Sequence, residues 1–519
     1  MISATIYLYL IACTTSNNHV DLKKGGRSPK DLPEDSFDFE APVNQSSEGW
    51  ELSEVLLCEE PLSEIQYRDA SEDFGYIGEI FDGLSTEGGM ALRQKDGIWW
   101  LWQIVPPMII QGWSQEGDLR EIETSNVPIR LYVMDLDQDG WDDMIIIGEF
   151  MQILWSLNTP DEYMEEIFPF RVGFGIRDVG VIDIEGDGDL DLWIFATPNE
   201  ESGGGAIGWI KENTGPRQYA QERELQPKDY WGAPFDGLVL DWEGDGDSDL
   251  YVCNDFGFLY GGNSLLLNDG TGQFSPGDAK GSDIVTACMG ASVADMDGDA
   301  HLDMYITTTA NQHLLKGSSD GFVEVSSAEG LPYVEQNQML WGAHLIDYNN
   351  DGLVDIFTGT SDFSRIDADG NFNAIPFPLW LIEQNENGYS EVGSRFEFPQ
   401  MSLTRTVLAH DINEDGVLDL FASSAGRLAH VYVSEGCTSQ NWLEIEAPSG
   451  SIVRVVGDGR VWSHLLDESP GMAATIPSVV HIGLGDLDVV DWVSVETPWK
   501  ETSYYLGPID LPRRMVLRR

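Results

Sequence analysis

The nine residues from Asp135 to Asp143, DLDQDGWDD, place acids at positions 1, 3, 5 and 9 around a Gly at position 6. Carboxylates at that spacing converge on one point when the chain curls tightly, and the Gly permits the sharp turn. Such an all-oxygen cage suits a hard cation, and a flexible cage with a backbone carbonyl at position 7 suits Ca²⁺ better than Mg²⁺. The string recurs five times: DIEGDGDLD from Asp183, DWEGDGDSD from Asp241, DMDGDAHLD from Asp295, DYNNDGLVD from Asp347 and DINEDGVLD from Asp411. An Asp-rich turn can also arise from local hydrogen bonding alone. Six copies, each closing on Asp, weigh against that reading.

The expected ligands are Asp135, Asp137, Asp139 and Asp143; Asp183, Glu185, Asp187 and Asp191; Asp241, Glu243, Asp245 and Asp249; Asp295, Asp297, Asp299 and Asp303; Asp347, Asn349, Asp351 and Asp355; and Asp411, Asn413, Asp415 and Asp419. The carbonyls of Trp141, Asp189, Asp247, His301, Leu353 and Val417 fill position 7. The loops differ. Ala300 replaces the Gly of loop four, which strains a left-handed turn. Glu at position 3 of loops two and three reaches further, and Asn there in loops five and six lowers the anionic count. Every cage is saturated by protein oxygens, whereas a catalytic metal keeps an open position. The six Ca²⁺ are therefore expected to be structural.

Each string lies between two short apolar runs, such as IRLYVM before Asp135 and MIIIG after it, so each loop reads as a β-hairpin turn. First aspartates are spaced by 48, 58, 54, 52 and 64 residues, the length of one four-stranded sheet. The expected fold is all-β: a β-propeller of at least six blades, and seven if MALRQKDGIWWLWQIV (90–105) begins another. The net charge of −61 makes nucleic acid a poor partner. Twenty-two of the 89 acids sit at the ligand positions, so the rest keep the surface strongly anionic.

Residues 2–12, ISATIYLYLIA, are too few to span a bilayer but suit a signal peptide. LIAC, ending at Cys13, resembles a bacterial lipobox, which implies lipidation of Cys13 and an envelope or outer-surface location, although no Lys or Arg precedes the apolar run. Residues 14–48 are polar and Pro/Gly-containing, as in a disordered tether. The propeller is expected over 49–436 and a small β domain over 437–519.

The repeats resemble FG-GAP/VCBS repeats, the blades of integrin-α-type propellers; NSLLLNDGTGQF (263–274) carries their outer-strand pattern. LYVCNDFG (250–257) and TACMGASVADMDGD (286–299) are similar to repeats in bacterial relatives of cartilage acidic protein. HIGLG with VVDWVSVETP near the C-terminus resembles a divergent ASPIC/UnbV domain. The resemblance implies an exported binding or adhesion module with a protein or glycan ligand. Cys253 and Cys288 stand where related repeats carry small residues, which suits a disulfide between neighbouring blades; Cys58 and Cys437 then flank the propeller and could clasp its ends.

No GxSxG, HExxH or phosphate-cradling loop appears. His344 and His410 lie in strands entering calcium loops and could face the channel, so a polysaccharide hydrolase or lyase acting there is the rival reading; a structural envelope component is another. Trp99, Trp100 and Trp102 are expected to fill space between blades rather than to stack on sugars.

Overall fold

The computed structural model describes residues 49–58, 60–74, 89–105, 108–157, 162–168, 175–197, 207–225, 232–362, 378–396, 398, 403–424, 429–469, 471–499 and 501–518. The expectations for Cys13 and the tether lie outside these residues. Apart from one four-residue helix, Gly257–Tyr260, and one 3₁₀ turn, Gly393–Phe396, the described elements are strands.

Seven four-stranded antiparallel units follow one another. Their inner strands are Met90–Lys95, Arg130–Met134, Gly175–Ile182, Pro234–Leu240, Cys288–Ala294, Gln338–Ile346 and Thr404–His410, defining units one to seven. In units two to seven the second strand begins at position 9 of the acidic string, so the string is the turn between inner and second strand. Unit seven takes its outer strand, Tyr67–Asp69, from the other end of the chain, where it pairs with His430–Ser434.

Both faces of the second strands are buried, which is why DMIII and DLFASS are buried at every position rather than at alternate ones. Alternate residues face opposite neighbours. Trp99 and Leu101 pack on Leu408, Phe421 and Val431 of unit seven, whereas Trp100 and Trp102 pack on Val133, Met144 and Ile146 of unit two. Equivalent cores join each remaining pair of consecutive units. With unit one packed on unit seven, the ring is closed. Trp102 fits because Gly112 lies beneath it; a Cβ there would sit 2.6 Å from its ring.

The C-terminal region is a sandwich of two sheets over one apolar core that includes Leu443, Val455, Ile482, Val493 and Met515. One sheet is completed by Trp50–Leu52, paired antiparallel with Met515–Leu517. The other, led by Arg460–Leu465, touches the inner strand of unit five at Ala294↔His464. The propeller start at 49 drawn from the sequence therefore needs correction: residues 50–52 belong to the C-terminal sandwich.

A second correction concerns the channel, which the sequence leaves open to a ligand. The segment around Gly471–Ile476, a connection within the C-terminal sandwich, enters it. Ala474 and Thr475 pair parallel with Met90 and Ala91 of unit one. The Met90 N–H donates to Ala473 O (3.0 Å), and Thr406 Oγ1 of unit seven to Met472 O (3.0 Å). Val133 N–H of unit two reaches Thr475 Oγ1 (3.3 Å). Met472 and Ala473 pack with Phe235, Met289 and Trp341 of units four to six. Residues 472–475 are at most 1 % exposed. The chain plugs its own propeller.

The structure joins Cys253 to Cys288, between units four and five, and Cys58 to Cys437, with Cα–Cα distances of 5.4 and 5.8 Å.

Candidate functional site

The six strings adopt one hydrogen-bonded form. The position 1 carboxylate accepts from the N–H of positions 5 and 6, as in Asp139 N–H to Asp135 Oδ1 (3.0 Å) and Gly140 N–H to Asp135 Oδ2 (2.8 Å). The position 5 carboxylate accepts from position 7. The position 9 Asp works in two directions. One oxygen accepts from position 2, closing the loop. The other accepts a backbone N–H from the third strand or a residue within two of its end: Ser156, Asn213, Asn268, Gly317, Gln384 or Ser434, at 2.6–2.8 Å. The last Asp of each string thus ties the loop to the body of its unit.

Two positions in each loop have positive φ. Position 6 is one: Gly140, Gly188, Gly246, Gly352 and Gly416 lie at φ 85–86°, and Ala300 at 73°. Position 4 is the other, occupied by Gln138, Gly186, Gly244, Gly298, Asn350 and Glu414. Ala300→Gly is expected to stabilise the protein by about 0.5–1 kcal/mol, because the αL backbone then carries no Cβ penalty. A urea midpoint that does not rise would contradict the strain.

The position 9 carboxylates are buried; Asp143, Asp191, Asp249, Asp355 and Asp419 have no exposure. Burial, with neighbouring acids adding to it, pushes Asp143 and Asp191 up to about 8 and Asp249 to about 7. Asp303, Asp355 and Asp419 are also raised well above the ordinary carboxylate value, for the same reason. An ionised carboxylate here calls for a countercharge. The donor set fits a calcium ion best in loops one and four: one oxygen from each of Asp135, Asp137 and Asp143, and likewise of Asp295, Asp297 and Asp303, lie within 4.8 Å of one another. That is the span of one Ca²⁺ coordination sphere with Ca–O of about 2.4 Å. Asp137 Oδ1 is buried without a hydrogen-bond partner, as an atom facing an ion would be.

Basic side chains also reach these cages, which the sequence reading missed. Arg217, on a small hairpin of unit three, holds Asp137 (2.5 Å) and Asp139 (2.7 Å). Lys316 pairs with Asp297. Arg514 of the sandwich lies 3.4 Å from Asp411 and 3.0 Å from Glu414.

His344 and His410 do come together, lining a small cavity with His464, His481 and Asp467, where the sandwich meets the propeller. The cavity holds ≈ 70 Å³, room for a few waters rather than a sugar ring. His344 Nδ1 accepts from the Ala409 N–H (3.0 Å), and His481 Nε2 donates to Asn350 Oδ1 (2.7 Å). Burial lowers His344 and His464 to about 4 and His410 and His481 to about 3, so all four are neutral near pH 7. This arrangement is that of packing histidines at an interface.

A paired-carboxylate site outside the calcium strings also escaped the sequence reading. Asp178 accepts from Arg130 Nη1 (2.8 Å) and from the Tyr132 hydroxyl, and Asp236 sits beside it with its carboxyl raised by burial and by the Asp178 charge. The signal was available: Arg130, Asp178, Asp236, Gly290, Gly342 and Thr406 all stand five residues before the first Asp of their loops. That position faces the channel. Its small members leave room for the plug: a Cβ on Gly342 would lie 3.0 Å from Met472 N.

A cleft of ≈ 690 Å³ runs between the sandwich and the loop faces of units one to four and seven. Trp193 lies on its floor across Gly180 and Gly237, where a Cβ would meet its ring at 2.4 and 2.9 Å. Arg93 bridges the two walls, 2.9 Å from Asp142 and 3.7 Å from Glu468.

Three segments, 135–194, 241–306 and 347–422, match the model of the FG-GAP-like repeat. Each begins at position 1 of one calcium string and runs through the next. No curated protein matches the chain in sequence. Among solved structures, the chain is similar to BBS1N in complex with ARL6DN, soaked with lead: 10 % identity over 70 % of this chain and 96 % of that one, TM-score 0.43. YCF48 bound to D1 peptide matches at 8 % identity over 72 % and 97 %, TM-score 0.41. The Dos1 propeller matches at 9 % over 65 % and 76 %, TM-score 0.38.

Proposed function

We propose that this FG-GAP-like β-propeller is an exported, calcium-stabilised, seven-bladed binding module that recognises a protein or glycan at the cell envelope. The observation that carries the reading is the sixfold repetition of one hydrogen-bonded carboxylate cage, buried at its base and placed to brace units two to seven rather than to meet a substrate. Two disulfides fit an oxidising compartment. Lipidation of Cys13 would hold the module on the membrane, and the C-terminal sandwich is read as a divergent ASPIC/UnbV-like domain. A channel enzyme is disfavoured, because the plug occupies the channel and the four histidines border a water-sized space.

The test is a glycan and surface-protein binding screen with the purified chain, run in Ca²⁺ and in chelator. Ligand capture in Ca²⁺ that fails in chelator is expected. Turnover of a polysaccharide, or capture indifferent to Ca²⁺, would overturn the reading.

A further inference from the structure

We propose that the cleft between the sandwich and the propeller is a recognition site for a basic peptide segment of a partner protein. This rests on the binding-module reading above and names the chemistry of the ligand.

Three observations point there. The first is size: ≈ 690 Å³ at the seam between two packed bodies, large enough to bury several side chains. The second is charge. Nine carboxylates line the cleft against three guanidiniums, Arg93, Arg514 and Arg518. Each guanidinium is already held between carboxylates. Bound Ca²⁺ does not cancel the excess: loop two alone carries five acids in nine residues, Asp183 to Asp191, so one divalent ion leaves it anionic. The third is an unmatched donor. Trp193 is 4 % exposed, its Nε1 has no hydrogen-bond partner, and its ring is part of the cleft floor beside Val181 and Val239. An extended peptide answers all three: a backbone carbonyl for the indole N–H, aliphatic stems along the apolar floor, and ammonium or guanidinium heads at the acidic walls. An acidic or phosphorylated ligand would be repelled.

The experiment uses the full chain in Ca²⁺ and follows fluorescence anisotropy of a short labelled peptide of alternating lysine and leucine. The same peptide with glutamate in place of lysine is the charge control. Asp189→Asn on the propeller wall and Glu446→Gln on the sandwich wall are each expected to weaken binding about tenfold. Glu446 belongs to no acidic string, so its variant separates loss of the cleft's charge from loss of a metal loop. Glu165→Gln, on the exposed outer strand of unit two, should change nothing. Equal weakening by all three variants, binding of the glutamate peptide, or preference for a neutral oligosaccharide would overturn the proposal. If the surface screen finds a Ca²⁺-dependent ligand while the lysine peptide stays unbound, the cleft assignment fails and the binding-module reading stands. If neither binds, both fail.

Discussion

In excess chelator the protein is expected to lose stability as pH rises from about 6.5 to about 8.5, and in saturating Ca²⁺ that loss should vanish. The sign follows from the position 9 aspartates. Burial raises Asp143 and Asp191 to about 8 and Asp249 to about 7, whereas the unfolded chain releases these protons near the ordinary carboxylate value. A group whose folded value is raised contributes stability that is full below its unfolded value and is lost as pH rises through the folded one. Ion-free protein should therefore be weakest at the alkaline end. Bound calcium would supply the countercharge that ionised carboxylates need, so the gap in Tm between the two conditions should widen with pH. Each such carboxylate puts on the order of a few kcal/mol at stake, and six occur together. The window avoids the buried histidines, whose lowered values cost stability only as pH falls below about 6.5. Thermal unfolding at several pH values with and without chelator measures it. Parallel curves would refute a structural role for calcium in these loops.

The second large effect is expected at the plug. Ala474 is fully buried where the C-terminal segment pairs with Met90. Ala474→Asp would place a fixed negative charge in a channel that already holds Asp178 and Asp236, at a cost of about 3–5 kcal/mol. Ala474→Ser, small and able to hydrogen-bond, should cost less than about 1.5 kcal/mol. Because the plug ties the sandwich to the inner strands, the Asp variant should separate one cooperative unfolding transition into two and expose the 466–478 connection to protease. A single transition at the wild-type midpoint would mean that the plug carries no coupling between the two bodies.

The sequence made the ring easier to read than its contents. The acidic strings repeat, and their turn chemistry is local: Asp at positions 1 and 9 with Gly, or in one copy Ala300, at position 6 is enough to place the inner and second strands of six units. Trp99 and Trp100 were legible as spacers because both faces of such a strand are buried. The plug was not legible. GMAAT is short and small, carries no strand pattern, and acquires its role only from Gly342, Thr406 and Met90, which lie 60 to nearly 400 residues away. His464 and His481 were invisible for a similar reason: nothing local links them to His344 and His410. The Arg130–Asp178–Asp236 arc lies between these cases. Its common offset from each loop was in the sequence, but strand bulges at Asp178 and Asp236 aim those side chains, and bulges leave little trace in a pattern of twos.

The pairing of Trp50–Leu52 with Met515–Leu517 has a consequence for how the molecule is made. A ribosome delivers the chain from one end, so the first strand emerges hundreds of residues before its partner exists. The outer strand of unit seven, Tyr67–Asp69, waits almost as long for His430–Ser434. The ring cannot close until unit seven is complete at about residue 434, and its channel does not fill until residues 471–476 have followed. Maturation is therefore a late event, slow by contact order, and a nascent chain stalled anywhere before residue 513 leaves two edges open to the wrong partners. Severing the chain at 436 would not free a finished propeller; it would recreate that unfinished intermediate.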